Sequence, residues 1–313
     1  MQLHYLKDWA PFQIDALGII TLIGADEVDR VIGRLTRSPI TDWLPFLGSH
    51  KVCGDYFTQA IPGFVLYNIT DGILAPDLIG WFARWLMCQN ISFSSTTLRI
   101  GVQQHKQSTL PCLVGIIGFI FIFIPVLLSI LIQDWWGFVT SLCMAASVLV
   151  RRIVLNANES AIDANLDQDY GLQDEIVKLF LTMPSGHAVS IITSRCVVLN
   201  ALLTTPHPQN PELYRWAQYL GWVAFGTQVI SIGMTCLLVQ LLVVIIMYVS
   251  TVLVVGQTGS VEYRVGSKLV FTRVEADPKE GFRTAAYARL WLTETEEESM
   301  LMWGLFPQRS NIG

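Results

Sequence analysis

LTMPSGHAVSIITSRC, residues 181–196, is the stretch whose reading sets the fold around it. Its centre, Pro184-Ser185-Gly186-His187, is turn chemistry: the proline presets one φ and the glycine supplies a positive one. On either side stand runs of β-formers, Glu175 to Met183 (EIVKLFLTM) and Ala188 to Thr193 (AVSIIT). Two such runs around a tight turn predict a β-hairpin rather than the end of a helix.

Working outward, the chain turns apolar on both sides. Downstream, residues 204–211 (TTPHPQNP) carry three prolines and exclude regular structure. A helix is expected to begin at Glu212 and lead into Leu220 to Val255, which holds no charged residue. As one straight helix that stretch would be ~54 Å long, well beyond a ~30 Å hydrocarbon core, so two helices broken near Ile232-Gly233-Met234 are predicted. Upstream, Pro111 to Ile132 (PCLVGIIGFIFIFIPVLLSILI) is uncharged and long enough to span a bilayer, with Pro125 inside it. Gln133-Asp134 then turns the chain into WWGFVTSLCMAASVLV, which Arg151-Arg152 close. Trp135 and Trp136 suit an interface belt, and Gly137, Ser141, Ala145 and Ala146 allow close helix approach.

Composition agrees. The chain is 52% hydrophobic and 14% charged, with mean hydropathy +0.47, whereas soluble chains carry roughly a quarter charged residues. The net charge of -5 and the lack of a basic patch with interleaved aromatics argue against nucleic acid as a partner. The six cysteines form no CxxC pair, and Cys112, Cys143 and Cys236 lie in the most apolar stretches, so a disulfide framework is not expected.

The expected fold class is therefore a mainly α membrane protein. It has about four transmembrane helices and small cytosolic α+β elements, namely β-hairpins in the middle loop and the C-terminal tail. The expected divisions are a cytosolic N-terminal region (1–110), a transmembrane helical hairpin (111–155), a cytosolic loop with the β-hairpin (156–215), transmembrane helices three and four (216–255) and a cytosolic α+β tail (256–313). Arg99, Lys106, Arg151, Arg152, Arg264, Lys268 and Arg273 flank the apolar segments and place both termini on the cytosolic side.

Within the polar parts, residues 11–37 carry helical periodicity, 39–65 read as loop, and a short helix is expected from Leu78 to Met87. The tail predicts strands at Ser267 to Val274 and Arg283 to Trp291, joined through Asp277 to Gly281. Thr293-Glu294-Thr295-Glu296 is a capping box, so a helix follows it, with glutamates as caps and solvated face. Met300, Trp303, Leu305 and Phe306 give that helix an apolar side, which is the expected partner-binding surface.

Candidate chemistry is incomplete throughout. Membrane phosphatases related to phosphatidate phosphatase carry KxxxxxxRP, PSGH and SRxxxxxHxxxD. Residues 184–187 match the middle element and Ser194-Arg195 opens the third. Ala201 stands where the nucleophilic histidine belongs, Thr205 where the acid belongs, and no Arg-Pro dipeptide exists. Asp163, Asn165, Asp167, Asp169 and Asp174 imitate a calcium loop, but Gln168 replaces its glycine and Asp174 its final glutamate. A solvated acidic linker is the expectation. His50 with Cys53, and His187, Cys196 and His207, lack zinc-site pairing. No catalytic residue, metal ligand or cofactor is assigned.

DWWGFVTSLCMAASVLVRRIVLNANESAID (134–163), TTPHPQNPELYRWAQYLGWVAFG (204–226) and MWGLFPQRSN (302–311) together resemble a group of multi-pass membrane proteins of filamentous fungi. The likeness runs from about residue 60 to the end. It implies a membrane location and carries no activity and no functional residues. The expected role is a scaffold or partner-binding protein in a lipid bilayer, with protein partners or a second copy of itself. The alternatives are a membrane enzyme of lipid or natural-product metabolism and an oligomeric small-solute channel or transporter.

Overall fold

The computed structural model describes residues 34–35, 43–45, 49–89, 91, 96–103, 111–167, 175–256, 262–274, 287 and 289–305. The expected helix over residues 11–37 falls almost wholly outside them. In chain order the elements are 3-10 turns at Ser49–Cys53 and Asp55–Phe57, β1 (Val65–Asn68), β2 (Ile73–Ala75), α1 (Gly80–Cys88), β3 (Thr97–Val102), α2 (Pro111–Ile132), α3 (Trp135–Asp167), β4 (Ile176–Thr182) and β5 (Ala188–Ser194). A short helical turn (Arg195–Val197), a π-helical segment (Val198–Leu203), α4 (Pro211–Met234), α5 (Leu237–Gly256), β6 (Glu262–Val265), β7 (Leu269–Val274) and α6 (Glu294–Met302) follow.

The chain is a mixed α/β protein, which corrects the expectation of a mainly helical one with about four transmembrane helices: among the described residues two helices, α3 and α5, are long and apolar enough to cross a bilayer. Seven strands join in one sheet of order β2-β1-β4-β5-β3-β7-β6. The hairpin predicted around Pro184 exists as β4 and β5, paired from Ile176↔Ser194 to Thr182↔Ala188, but it is the middle of this sheet, not a small loop element. The reason is long-range pairing. Residues Val65 to Asn68 line up on β4, and Thr97 to Arg99 run parallel to β5. β7 then lies antiparallel along the whole of β3. Strands as short as β1 and β2 have no local periodicity to announce them.

The chain divides into two compact units. The helical unit gathers residues 1–57, 106–161 and 207–258. It holds α2, most of α3, α4 and α5. The break expected at Ile232 to Met234 occurs, since α4 ends at Met234 and α5 begins at Leu237. One boundary needs correction: the second apolar helix does not stop at Arg151-Arg152 but runs on to Asp167. Its polarity changes there, but Ala157, Ala161 and Ala164 are good helix formers and no proline or glycine intervenes.

The sheet unit gathers residues 58–105, 162–206 and 259–313. One face of its sheet is apolar: Leu66, Leu98, Ile100, Leu179, Leu181, Val189, Ile191 and Phe271 are all buried. Helix α1 covers this face, with Trp85 stacked on Phe82 and 4.8 Å from Phe271 between ring centroids. On the opposite face Phe180 meets Tyr287, with Ile69, Ala188, Leu290 and Met300 closing a second core cluster. Tyr287 and Arg289 are helical, which corrects the strand expected from Arg283 to Trp291; β7's partner is β6 instead.

Candidate functional site

The most unusual surface belongs to the helical unit, where the usual distribution of polarity is reversed. Every exposed residue of α3 from Trp135 to Ile153 is apolar or aromatic: Trp135, Trp136, Leu142, Leu149 and Ile153. On α5 the exposed residues are Ile245, Tyr248, Val249, Val252 and Leu253. On α4 the exposed pair Glu212 and Arg215 gives way to Trp216, Tyr219, Leu220, Trp222, Val223 and Ile230. The described side chains of α2 present Phe119, Ile120, Phe123, Ile124 and Leu127 outward.

Several polar side chains of these helices point inward and find partners, while Ser250 Oγ on α5 is buried without one. Thr140 Oγ1 donates to the Trp136 carbonyl at 3.0 Å and lies 2.8 Å from Ser231 Oγ. Thr235 Oγ1 donates to the Ser231 carbonyl, and Ser129 and Ser141 donate one turn back to Pro125 and Gly137. Bonds to i−4 carbonyls are the way hydroxyls satisfy themselves inside a helix.

Asp134 organises the end where both helical turns lie. Its Oδ1 accepts the N–H of Gly137 at 3.1 Å, capping α3. Its Oδ2 accepts the N–H of Cys236 at 2.8 Å, at the start of α5. One carboxylate thus meets the positive ends of two helices. The sequence alone places this residue in a turn and assigns it no further role. The available signal was an Asx residue directly before a helical run.

Towards the other end of α4, Gly221 allows close approach: a side chain there would overlap Cys53 and press on Val150. The 3-10 turn Ser49–Cys53 therefore seats on α4, with His50 stacked on Phe225 at 3.7 Å between centroids. Burial, then the charge of Lys51, push the His50 imidazole below its ordinary value. Burial pushes the Cys53 thiol up to about 11, so it is an unreactive packing group. Arg152 lies over the Trp43 ring at 3.6 Å, and Arg151 Nη1 donates to the Leu44 carbonyl at 3.0 Å.

The motifs on the sheet unit do not assemble into a phosphate site. Pro184 to Gly186 form the turn, Gly186 adopting φ 82°. His187 precedes β5 and Arg195 follows it, so the strand holds them ~26 Å apart. Arg195 is instead engaged by Asp71, at 2.5 and 3.2 Å, and by Glu175 at 2.7 Å. The acidic run also differs from its expected linker form. Asp163, Asn165 and Asp167 lie on the last turns of α3. Asp163 Oδ2 accepts both the N–H and the hydroxyl of Ser267, and Asp167 pairs with Lys268.

The capping box is present, Thr293 and Glu296 each serving the other's backbone. Glu296 is more than a cap: it pairs with Lys178 at 2.8 Å and accepts from Thr70 at 3.0 Å. Met300 is fully buried in the second core cluster, while Trp303 and Leu305 pack against it. Phe306 lies outside the described residues. The exposed apolar groups nearby in sequence are Met302, 76% exposed, and Trp291, 85% exposed with φ 47°.

No protein-family model, curated protein or solved structure matches the chain.

Proposed function

We propose that the protein is an integral membrane scaffold, held in a lipid bilayer by its helical unit and presenting its sheet unit to protein partners. The carrying observation is the reversed polarity of that unit, apolar outside and hydrogen-bonded hydroxyls, amides and one carboxylate inside. In water, an apolar surface on this scale is unfavourable at about 25 cal/mol per Å². In lipid it is the expected surface, and inward polar groups with helical partners are the expected interior. α3 and α5 are each long and apolar enough to cross a bilayer.

The test has two parts. Membranes from cells expressing the full chain are washed with alkaline carbonate. The protein is expected to stay in the pellet and to leave it only with detergent. Release by carbonate alone would remove the membrane reading. Then Gln133→Cys and Arg215→Cys, in a chain with its native cysteines replaced, are labelled in sealed vesicles with an impermeant maleimide. The two sites stand at opposite ends of the helical unit, and labelling from opposite faces is expected. Labelling of both from one face would mean that the helices lie on the bilayer rather than through it.

A further inference from the structure

The spacing of the aromatic residues goes one step beyond that reading, on which it rests. Trp135 and Trp136 stand at the first turn of α3, exposed and beside the turn that Asp134 ties to Cys236. Met234 ends α4 at that same level. Back along α4, Trp216 is 70% exposed and Tyr219 64% exposed. With a rise of about 1.5 Å per residue, Trp216 lies ~27 Å from Met234 and Tyr219 ~22 Å.

The other helices mark the same two levels. On α3, Arg152 lies ~25 Å from Trp135, and it stacks on Trp43. Beyond it Asn158 donates to Tyr214 Oη at 3.3 Å, so α3 and α4 are in register just outside the apolar band. On α5 the apolar helix from Leu237 to Val255 is ~28 Å long. On α4 itself the charges stand where the band ends: Glu212 and Arg215 form an exposed ion pair immediately before Trp216.

Indole and phenol rings settle at the boundary between hydrocarbon and headgroups. The exposed rings of α4, Trp216, Tyr219 and Trp222, therefore lie ~18–27 Å from the level of Trp135 and Trp136, so the outermost of them limits the hydrocarbon layer to ~27 Å, and the ordinary tilt of a bundle shortens it further. We propose that this protein is built for a thin bilayer, with a hydrocarbon core of about 27 Å or less, and is mismatched to the sterol-rich type of about 33 Å. The partner is thus the lipid itself, selected by chain length. Trp135, Trp136, Trp216 and Tyr219 act as the two girdles that set the depth.

The experiment uses the full chain reconstituted into monounsaturated phosphatidylcholine vesicles with cores of about 23, 27 and 33 Å. Helical circular dichroism is followed on heating in each. The midpoint is expected to be highest in the two thinner bilayers and lowest in the thickest. A midpoint that is highest in the thickest bilayer, or the same in all three, overturns the thickness proposal while leaving the membrane reading in place. Failure of the chain to float with any of the vesicles overturns the membrane reading itself.

Discussion

Asp134 and Cys236 join the two helical turns through one hydrogen bond of 2.8 Å, from the backbone N–H of the cysteine to the carboxylate. Asp134 is 4% exposed, and its second oxygen caps α3. Replacing it by alanine leaves two donors without an acceptor. Asp134→Ala is expected to cost about 2–4 kcal/mol, a lost cap plus a lost charge-assisted bond. Asp134→Asn, which keeps one acceptor oxygen, should cost roughly half of that. Unfolding in mixed detergent, titrated with a denaturing surfactant, measures both. An alanine variant as stable as the parent would remove the clamp.

Glu296 makes the sheet unit sensitive to acid. Burial acts to raise its carboxyl pKa. The hydrogen bonds from Lys178, the Thr293 N–H and Thr70 outweigh burial and hold it below the ordinary value of 4.5. A carboxyl whose folded value is depressed contributes stability above its unfolded value, lost as pH falls through the folded one. Stability should therefore decline below about pH 4.5. Glu296→Gln should flatten that decline and cost about 1–3 kcal/mol at neutral pH. Urea titrations of parent and variant across the range decide it; parallel pH curves would contradict the assignment.

What the sequence made legible was local chemistry. The limits of Pro111–Ile132, the break after Met234, the turn at Pro184 to Gly186 and the box at Thr293 and Glu296 all follow from residues within a few positions of each other. The sheet does not. Val65 pairs with Thr182 and Thr97 with Val274, and nothing in VLYN or TLRIGV states those partners. The extension of α3 past Arg152 was hidden for a different reason, because a change of polarity resembles an end when only hydropathy is read. The polar seam of Thr140, Ser231 and Thr235 was equally hidden, since each residue is unremarkable until two helices face each other.

Phe271 tests how far the sheet unit depends on the unseen pairing. It contacts Trp81, Phe82 and Trp85 from β7, the strand that also binds β3 along its full length. Phe271→Ala should cost about 3–5 kcal/mol, the usual loss for a fully buried phenylalanine. The urea midpoint of the sheet unit's tryptophan signal would report it. A loss under ~1 kcal/mol would mean that the aromatic cluster collapses freely around the gap.

The tail separates packing from binding in one helix. Trp303 lies 5.4 Å from Tyr67 between ring centroids and covers the cluster that contains Met300. Trp303→Ala should therefore lower stability by about 2–3 kcal/mol, whether or not a partner is present. Met302 and Trp291 stand out from the surface, so Met302→Ala and Trp291→Ala should leave the urea midpoint within ~0.5 kcal/mol of the parent. If the scaffold proposal holds, this pair of surface changes is the one that reduces recovery of co-purifying proteins in detergent, while expression stays level. Recovery that falls only with Trp303→Ala would trace the loss to unfolding, and the tail would then serve the sheet unit's own core and nothing outside it.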